Sequence, residues 1–261
     1  MRSISFSGKK EDRNLSALFE IHNLAKLNWD TGEGASKYIF SGVSAEIAGP
    51  ERIALIGASG QGKSTLLRIL ALLDAPDEGD LLVNGTSYKN MNVRQWRMAV
   101  SYVAQQSVML PGSVEDNLRT VSRLHGNAYD SKLAEQLLQK LGLDYLDLGK
   151  TAEDCSGGEK QRISLIRSLL LRPRILLLDE ITASLDINST QKVESLLTDW
   201  HLKEGTLLIW VTHDLEQARR ISNRAWVMGK GELQEHSSDT LFAEPAAVLA
   251  KKFIQSVKGN R

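Results

Sequence analysis

Residues 57–65 read Gly57-Ala58-Ser59-Gly60-Gln61-Gly62-Lys63-Ser64-Thr65, which fits the pattern G-x-x-x-x-G-K-[ST]. Ahead of it, Arg52-Ile-Ala-Leu-Ile56 is a short apolar run that predicts a buried strand. Behind it, Lys63–Leu73 predicts a helix, with Leu66, Leu67, Ile69 and Leu70 apolar and Pro76 beyond the end. Strand, glycine-rich loop and helix in this order make a cradle for phosphate. Backbone N–H groups of Gly60–Thr65 can wrap an anion only where side chains stay clear, which accounts for Gly57, Gly60 and Gly62 around Ser59 and Gln61. The helix start adds partial positive charge. Lys63 is placed to neutralise β- and γ-phosphates, and the Ser64 hydroxyl to ligate Mg2+.

Outward from this loop the pattern alternates. Asp130–Leu141 predicts a helix with Leu133, Leu137, Leu138 and Leu141 on one face. Ser156–Leu171 predicts another, stopped by Arg172-Pro173. Ile175–Leu178 and Leu207–Val211 are continuous apolar runs, typical of strands covered on both faces, and Val193–Trp200 between them is helical. Strands alternating with helices predict an α/β fold with a parallel sheet, whose ligands lie at the carboxyl ends of the strands. At one such end stand Asp179 and Glu180. Burying two carboxylates there without a role is costly. Asp179 suits an Mg2+ shell, and Glu180 is placed to polarise an attacking water.

Cys155-Ser156-Gly157-Gly158-Glu159-Lys160-Gln161-Arg162 resembles the L-S-G-G-Q signature of the ATP-binding cassette (ABC) ATPases. Two positions depart from that pattern: Cys155 replaces Leu and Glu159 replaces Gln. Ser156 can cap the helix, with Glu159 three residues on closing a capping box. Gly157 and Gly158 in a first turn weaken a helix by ~1 kcal/mol each, a cost that points to close approach of a ligand. The resemblance runs from about Phe19 to Pro245. It implies a P-loop NTPase (RecA-like) parallel-sheet core with an antiparallel β subdomain and an α-helical subdomain, binding ATP and Mg2+. It also implies that the signature binds the γ-phosphate held by a second copy, so that two sites form when two copies meet head to tail.

Further segments carry the same resemblance. Tyr102-Val-Ala-Gln105 is similar to the Q-loop, whose glutamine touches Mg2+ and the water; Gln106 is the fallback. Ser184-Leu185-Asp186 resembles the D-loop at the dimer interface, and Asp186 also suits a helix N-cap. His213, just past the Leu207–Val211 strand, resembles the switch histidine that contacts the γ-phosphate. An aromatic side chain upstream of the loop stacks on adenine in this family. Trp29 and Tyr38 both lie near the expected place, separated by a segment longer than in many members, and Trp29 is the choice. The implied organisation is a flexible extension over residues 1–18, an ATPase domain over 19–245 with its helical subdomain at about 106–160, and a C-terminal helix or tail over 246–261.

Composition bounds the function. Lys plus Arg is 32 and Asp plus Glu is 32, giving zero formal charge, without the basic excess of a nucleic-acid binder. The single cysteine, Cys155, cannot form an intrachain disulfide and suits a small buried hydrophobe. No apolar run reaches the ~18–20 residues of a membrane-spanning helix. A transport role therefore implies a separate integral membrane permease subunit, with this chain peripheral on the cytoplasmic face of the cell membrane. Leu110-Pro-Gly-Ser-Val-Glu-Asp-Asn-Leu118 resembles the segment after the Q-loop in exporter-like ATPases. The runs Cys155–Arg167, Leu176–Leu185 and Trp210–Asp214 are similar to Fet-type iron-exporter ATPases. An ATPase of a phosphate or polar amino-acid importer is the alternative. A soluble ABC ATPase acting on ribosomes or DNA fits less well, since neither a second cassette nor a long coiled coil is visible.

Overall fold

The computed structural model describes residues 17–29 and 36–237. The predicted N-terminal extension up to residue 16, the residues 30–35 and the C-terminal helix or tail lie outside the described residues. In chain order the strands and helices are β1 (Phe19–Leu27), β2 (Tyr38–Ile47), β3 (Arg52–Ile56), α1 (Lys63–Leu70), β4 (Glu78–Val83), β5 (Thr86–Ser87), α2 (Val93–Ala99), β6 (Val100–Val103), α3 (Val114–His125), α4 (Ser131–Lys140), α5 (Gly157–Leu169), β7 (Ile175–Asp179), α6 (Ile187–Glu204), β8 (Leu207–Val211), α7 (Leu215–Ile221), β9 (Arg224–Gly229) and β10 (Glu232–Ser237).

Two sheets organise the chain. One is six-stranded in the order β10-β9-β3-β8-β7-β6, parallel except for the antiparallel edge strand β10. The other is antiparallel, in the order β2-β1-β4-β5. A backbone bond from Ser41 N to Gly231 O, 3.0 Å, ties β2 to the turn between β9 and β10.

The apolar run of β7 explains why the parallel sheet is a central layer. Successive side chains of a strand point to opposite faces. Ile175 and Leu177 pack with α1 and the antiparallel sheet, among Phe19, Leu67 and Trp226, while Leu176 and Leu178 pack with α3, α5 and α6, among Leu118, Ile163 and Leu197. Each of the four is fully buried, worth about 1.5–3 kcal/mol apiece by area transfer. β8 divides its residues the same way: Leu207, Ile209 and Val211 to one side, Leu208 and Trp210 to the other.

Helix ends differ from the periodicity in two places. α1 stops at Leu70 rather than Leu73: Leu72 turns left-handed (φ +53°), and Arg68 reaches past it to Asp74 at 2.7 Å. α6 extends well beyond Val193–Trp200, because Asp186 caps its start through Ser189 N and Gly205 (φ +67°) ends it. No helix among the described residues is long and apolar enough to cross a membrane.

Candidate functional site

β3 delivers the chain into the loop of residues 57–62, and α1 leaves from it. Two glycines there are demanded by their own surroundings. A Cβ on Gly57 would lie 2.2 Å from Met228 O in β9, and one on Gly62 (φ +88°) would lie 2.6 Å from Ile39 Cγ2. Gly62 caps α1 without a side chain, and no acidic residue sits in the first turn, so the leading N–H groups are uncommitted. Gly60 and Ser59 are exposed at the loop's crest, and Gln61 Oε1 accepts from Lys230 N at 2.8 Å. Lys63 is buried at 5% exposure and its ammonium donates to Gly57 O (2.9 Å) and Ala58 O (2.8 Å). Burial lowers its pKa, opposed by the charges of Glu180 and Asp179.

Asp179 ends β7 almost fully buried, with a donor on each oxygen. Ser64 Oγ donates to Oδ1 at 3.1 Å, and the Tyr102 hydroxyl donates to Oδ2 at 2.8 Å. Tyr102 is pushed up by burial and by Asp179, so it stays a protonated donor. Glu180 follows in a left-handed conformation (φ +48°), with its N–H bonded to Val211 O at 3.2 Å. Gln105 Nε2 donates to its Oε2 at 3.0 Å, and His213 Nε2 meets its Oε1 at 2.5 Å. Two residues following two other strands, β6 and β8, thus converge on the carboxylate that follows β7. Ala104 O, beside Gln105, accepts from Gln161 of α5 at 2.9 Å.

These groups share a groove of about 690 Å3, lined by Ser59–Thr65, Gln105, Glu180 and His213 together with Tyr38. Trp29, the residue chosen for base stacking, is 75% exposed and outside that lining; Tyr38 is in it, with its hydroxyl donating to Glu78 Oε1 at 2.9 Å. An Mg2+ ion fits the donor set. Ser64 Oγ and Asp179 Oδ1 are adjacent hard oxygens beside the phosphate loop, and no cluster of three His, Cys, Asp or Glu among the described residues forms an all-protein cage. That is the usual arrangement for a cation shared with substrate phosphates.

α5 begins as the capping box expected: Glu159 N donates to Ser156 Oγ at 3.3 Å, and Ser156 N donates to Glu159 Oε2 at 2.7 Å. The bond from Ser156 N, reinforced by the Tyr145 hydroxyl at 2.8 Å, holds the Glu159 pKa below its ordinary value. Ser156 and Gly157 are exposed. Neither lines the phosphate groove, and Gly158 instead faces Leu185 of the Ser184–Asp186 segment, 3.3 Å from its Cβ position. Asp186 caps α6, Ser189 N donating to its Oδ1 at 2.9 Å. The Cys155 side chain is buried and its thiol is pushed up by that burial. The contacts of Tyr102 with Asp179 and of Gln161 with the Gln105 segment were not read from the sequence. Strand parity of Tyr102 with Val100 offered a weak signal for the first, and nothing singled out the second.

A parallel sheet with a phosphate loop at the end of β3 and an Asp-Glu pair at the end of β7, with β8 between them, defines a P-loop ATPase. The model of the ABC transporter family matches residues 40–183, more than half the chain, and the chain belongs to that family. It is the ATP-hydrolysing subunit of an ABC transporter. It is 38% identical over 224 residues to a Bacillus subtilis protein named as an ABC transporter ATP-binding protein, YjkB, covering 85% of this chain and 89% of that one. To the Escherichia coli protein named as an iron export ATP-binding protein, FetA, it is 33% identical over 84% of this chain and 96% of that one. To the Caulobacter vibrioides methionine import ATP-binding protein MetN it is 32% identical, over 84% and 68%. A solved ATP-binding subunit of an ABC transporter superposes with a TM-score of 0.80 at 21% identity, covering 90% of this chain and all of that one, which speaks for the fold alone.

Proposed function

We propose that two copies of this chain close head to tail on ATP and that hydrolysis lets them part, driving transport through a separate integral membrane permease at the cytoplasmic face of the membrane. The observation that carries this reading is the separation of two anion-binding helix starts. The start of α1 lies inside the groove beside Glu180, while the start of α5 stands exposed and outside it. A site that needs both must draw the second from another molecule.

In this reading the amides of Gly60–Thr65 hold the phosphates, with Lys63 swinging from the carbonyls of Gly57 and Ala58 onto β- and γ-oxygens. Ser64 and Asp179, with Gln105 nearby, would hold Mg2+, which draws charge from the phosphates as the terminal bond breaks. Glu180 accepts the proton of the attacking water, and Gln105 and His213 aim its carboxylate. His213, kept beside Glu180, also reaches the γ-phosphate when nucleotide enters. The partner copy's Ser156, Gly157, Gly158 and Glu159 close over that phosphate, and Asp186 lies at the interface. Tyr38 takes the adenine, in place of Trp29.

For cargo we propose metal-ion export, of iron. The similarity to FetA over almost all of that protein and the segment from Leu110 to Leu118 support it. An importer is the second reading, favoured by comparable identity to MetN. Association is the direct test of the dimer. ATP should convert the chain from one copy to two in sedimentation. Ser156→Arg should abolish that conversion while leaving ATP affinity of the single copy within about threefold, since the changed residue lies outside the groove. ATP-driven pairing of Ser156→Arg would sink the proposal.

A further inference from the structure

Gln217 lies in the first turn of α7, 5% exposed, and both the NH2 group and the oxygen of its amide are engaged. Its Nε2 donates to Thr182 Oγ1 at 3.0 Å and to Glu194 Oε1 at 2.9 Å. Its Oε1 accepts from Thr212 Oγ1 at 2.6 Å and lies 3.4 Å from Thr182 Oγ1. Both threonines are buried. Thr182 is two residues past Glu180, and Thr212 immediately precedes His213. One buried amide therefore ties the turn after β7 to the turn after β8. A backbone bond from Glu180 N to Val211 O joins the same two strand ends. Glu194 is anchored in turn by Arg220, at 3.0 Å.

Glu180 needs such an anchor. Its left-handed backbone conformation is one that non-glycine residues keep only when their surroundings impose it. We propose that Gln217 is a positioning residue for hydrolysis: it locks the two turns together and so fixes the Glu180 carboxylate against the His213 imidazole. This rests on the reading of Glu180 and His213 given above. Gln217 itself touches neither nucleotide loop nor reacting atoms, so its loss should act on turnover and spare binding.

The amide chemistry supplies a selective test. Gln217→Glu replaces both donors with acceptors and sets a carboxylate against Glu194. The exchange Gln217→Glu with Glu194→Gln restores a donor–acceptor pair between the two positions, and the amide then at position 194 still offers Arg220 an oxygen. In the full chain, Gln217→Glu should lower kcat for ATP about tenfold with KM within about twofold, the pattern of a misplaced catalytic group. The exchange should bring kcat back to within about threefold of wild type. Gln217→Met, which fills the same space without polar atoms, should show the same kcat-only loss and serves if Gln217→Glu does not fold. Wild-type kcat in either single variant, a loss confined to KM, or an exchange that melts like wild type yet stays as slow as Gln217→Glu overturns the inference. If wild type itself releases no phosphate from ATP with Mg2+, the ATPase assignment of Glu180 fails instead, and the two failures are separate readings of one assay.

Discussion

Replacing Glu180 by Gln keeps its shape and removes its basicity. The magnitude follows from what the carboxylate does in the structure. Both oxygens are engaged, Oε2 by Gln105 at 3.0 Å and Oε1 by His213 at 2.5 Å. An amide at that position keeps one acceptor and presents one NH2. Gln105 can turn its own carbonyl toward that NH2, so the local geometry survives and nucleotide binding should change less than about threefold. Proton acceptance does not survive, because an amide has no useful basicity. A positioned general base contributes roughly a hundred- to ten-thousand-fold, which is about 2.7–5.4 kcal/mol of barrier. Phosphate release by Glu180→Gln should fall by at least that lower factor. In the proposed cycle the closed pair opens on hydrolysis, so the variant should also accumulate as two copies in the presence of ATP, measured by sedimentation with and without EDTA. Phosphate release within about fivefold of wild type would refute the assignment of Glu180 as base.

Two further outcomes follow from the same geometry. Tyr38→Ala should weaken binding of a fluorescent ATP analogue by roughly two- to twelvefold, the worth of an aromatic contact, while Trp29→Ala leaves it unchanged; the reverse ranking would return the base platform to Trp29. Gly157→Ala should stabilise the single copy against denaturant by up to about 1 kcal/mol, the helix-propensity gain, and at the same time weaken ATP-driven pairing; stronger pairing in that variant would contradict the role given to the α5 start.

The parts of the fold that were legible are those whose residues answer to one local rule. β7 carries four consecutive apolar residues because both its faces are covered, and α5 announces its start through Ser156 and Glu159. The antiparallel strands obey no such rule. β1 pairs on both sides but changes register between Ile21 and Leu24, with Asn23 left-handed (φ +48°), so its alternation is broken just where a pattern would be sought. The first turn of α6 hides because Ile187 is exposed and the apolar stripe begins only at Val193. In the site, the phosphate loop, the acids and His213 were legible as residue types at strand ends. Which of Trp29 and Tyr38 reaches the groove was not, because it depends on how β1 pairs with β2: Leu27 opposes Tyr38, and Tyr38 lines the groove while Trp29 does not. Gln217 was hidden for another reason. Glu216-Gln217-Ala218-Arg219-Arg220 reads as a solvated helix face, and only the tertiary fold buries its second residue.

Gly157 raises a question that its own chain does not answer. Gly57 and Gly62 are explained within the molecule, by Met228 O and by a left-handed turn against Ile39. Gly157 has neither a positive φ nor any atom within 4 Å of where a Cβ would stand. A glycine there weakens the helix, and the fold gains nothing visible in return. The capping box uses the N–H groups of Ser156 and Glu159, and helix geometry leaves those of Gly157 and Gly158 without an intrahelical partner. Bare backbone, free donors and the positive end of a helix make an anion site with solvent on its open side. The phosphate loop, by contrast, sits in a groove with a lysine folded over it and an acid waiting beside it. One helix start has the base and lacks a lid; the other has the form of a lid and no base. In the proposed head-to-tail pair the two halves complement each other across molecules, and the missing Cβ at position 157 would then be space kept for a nucleotide carried by another copy.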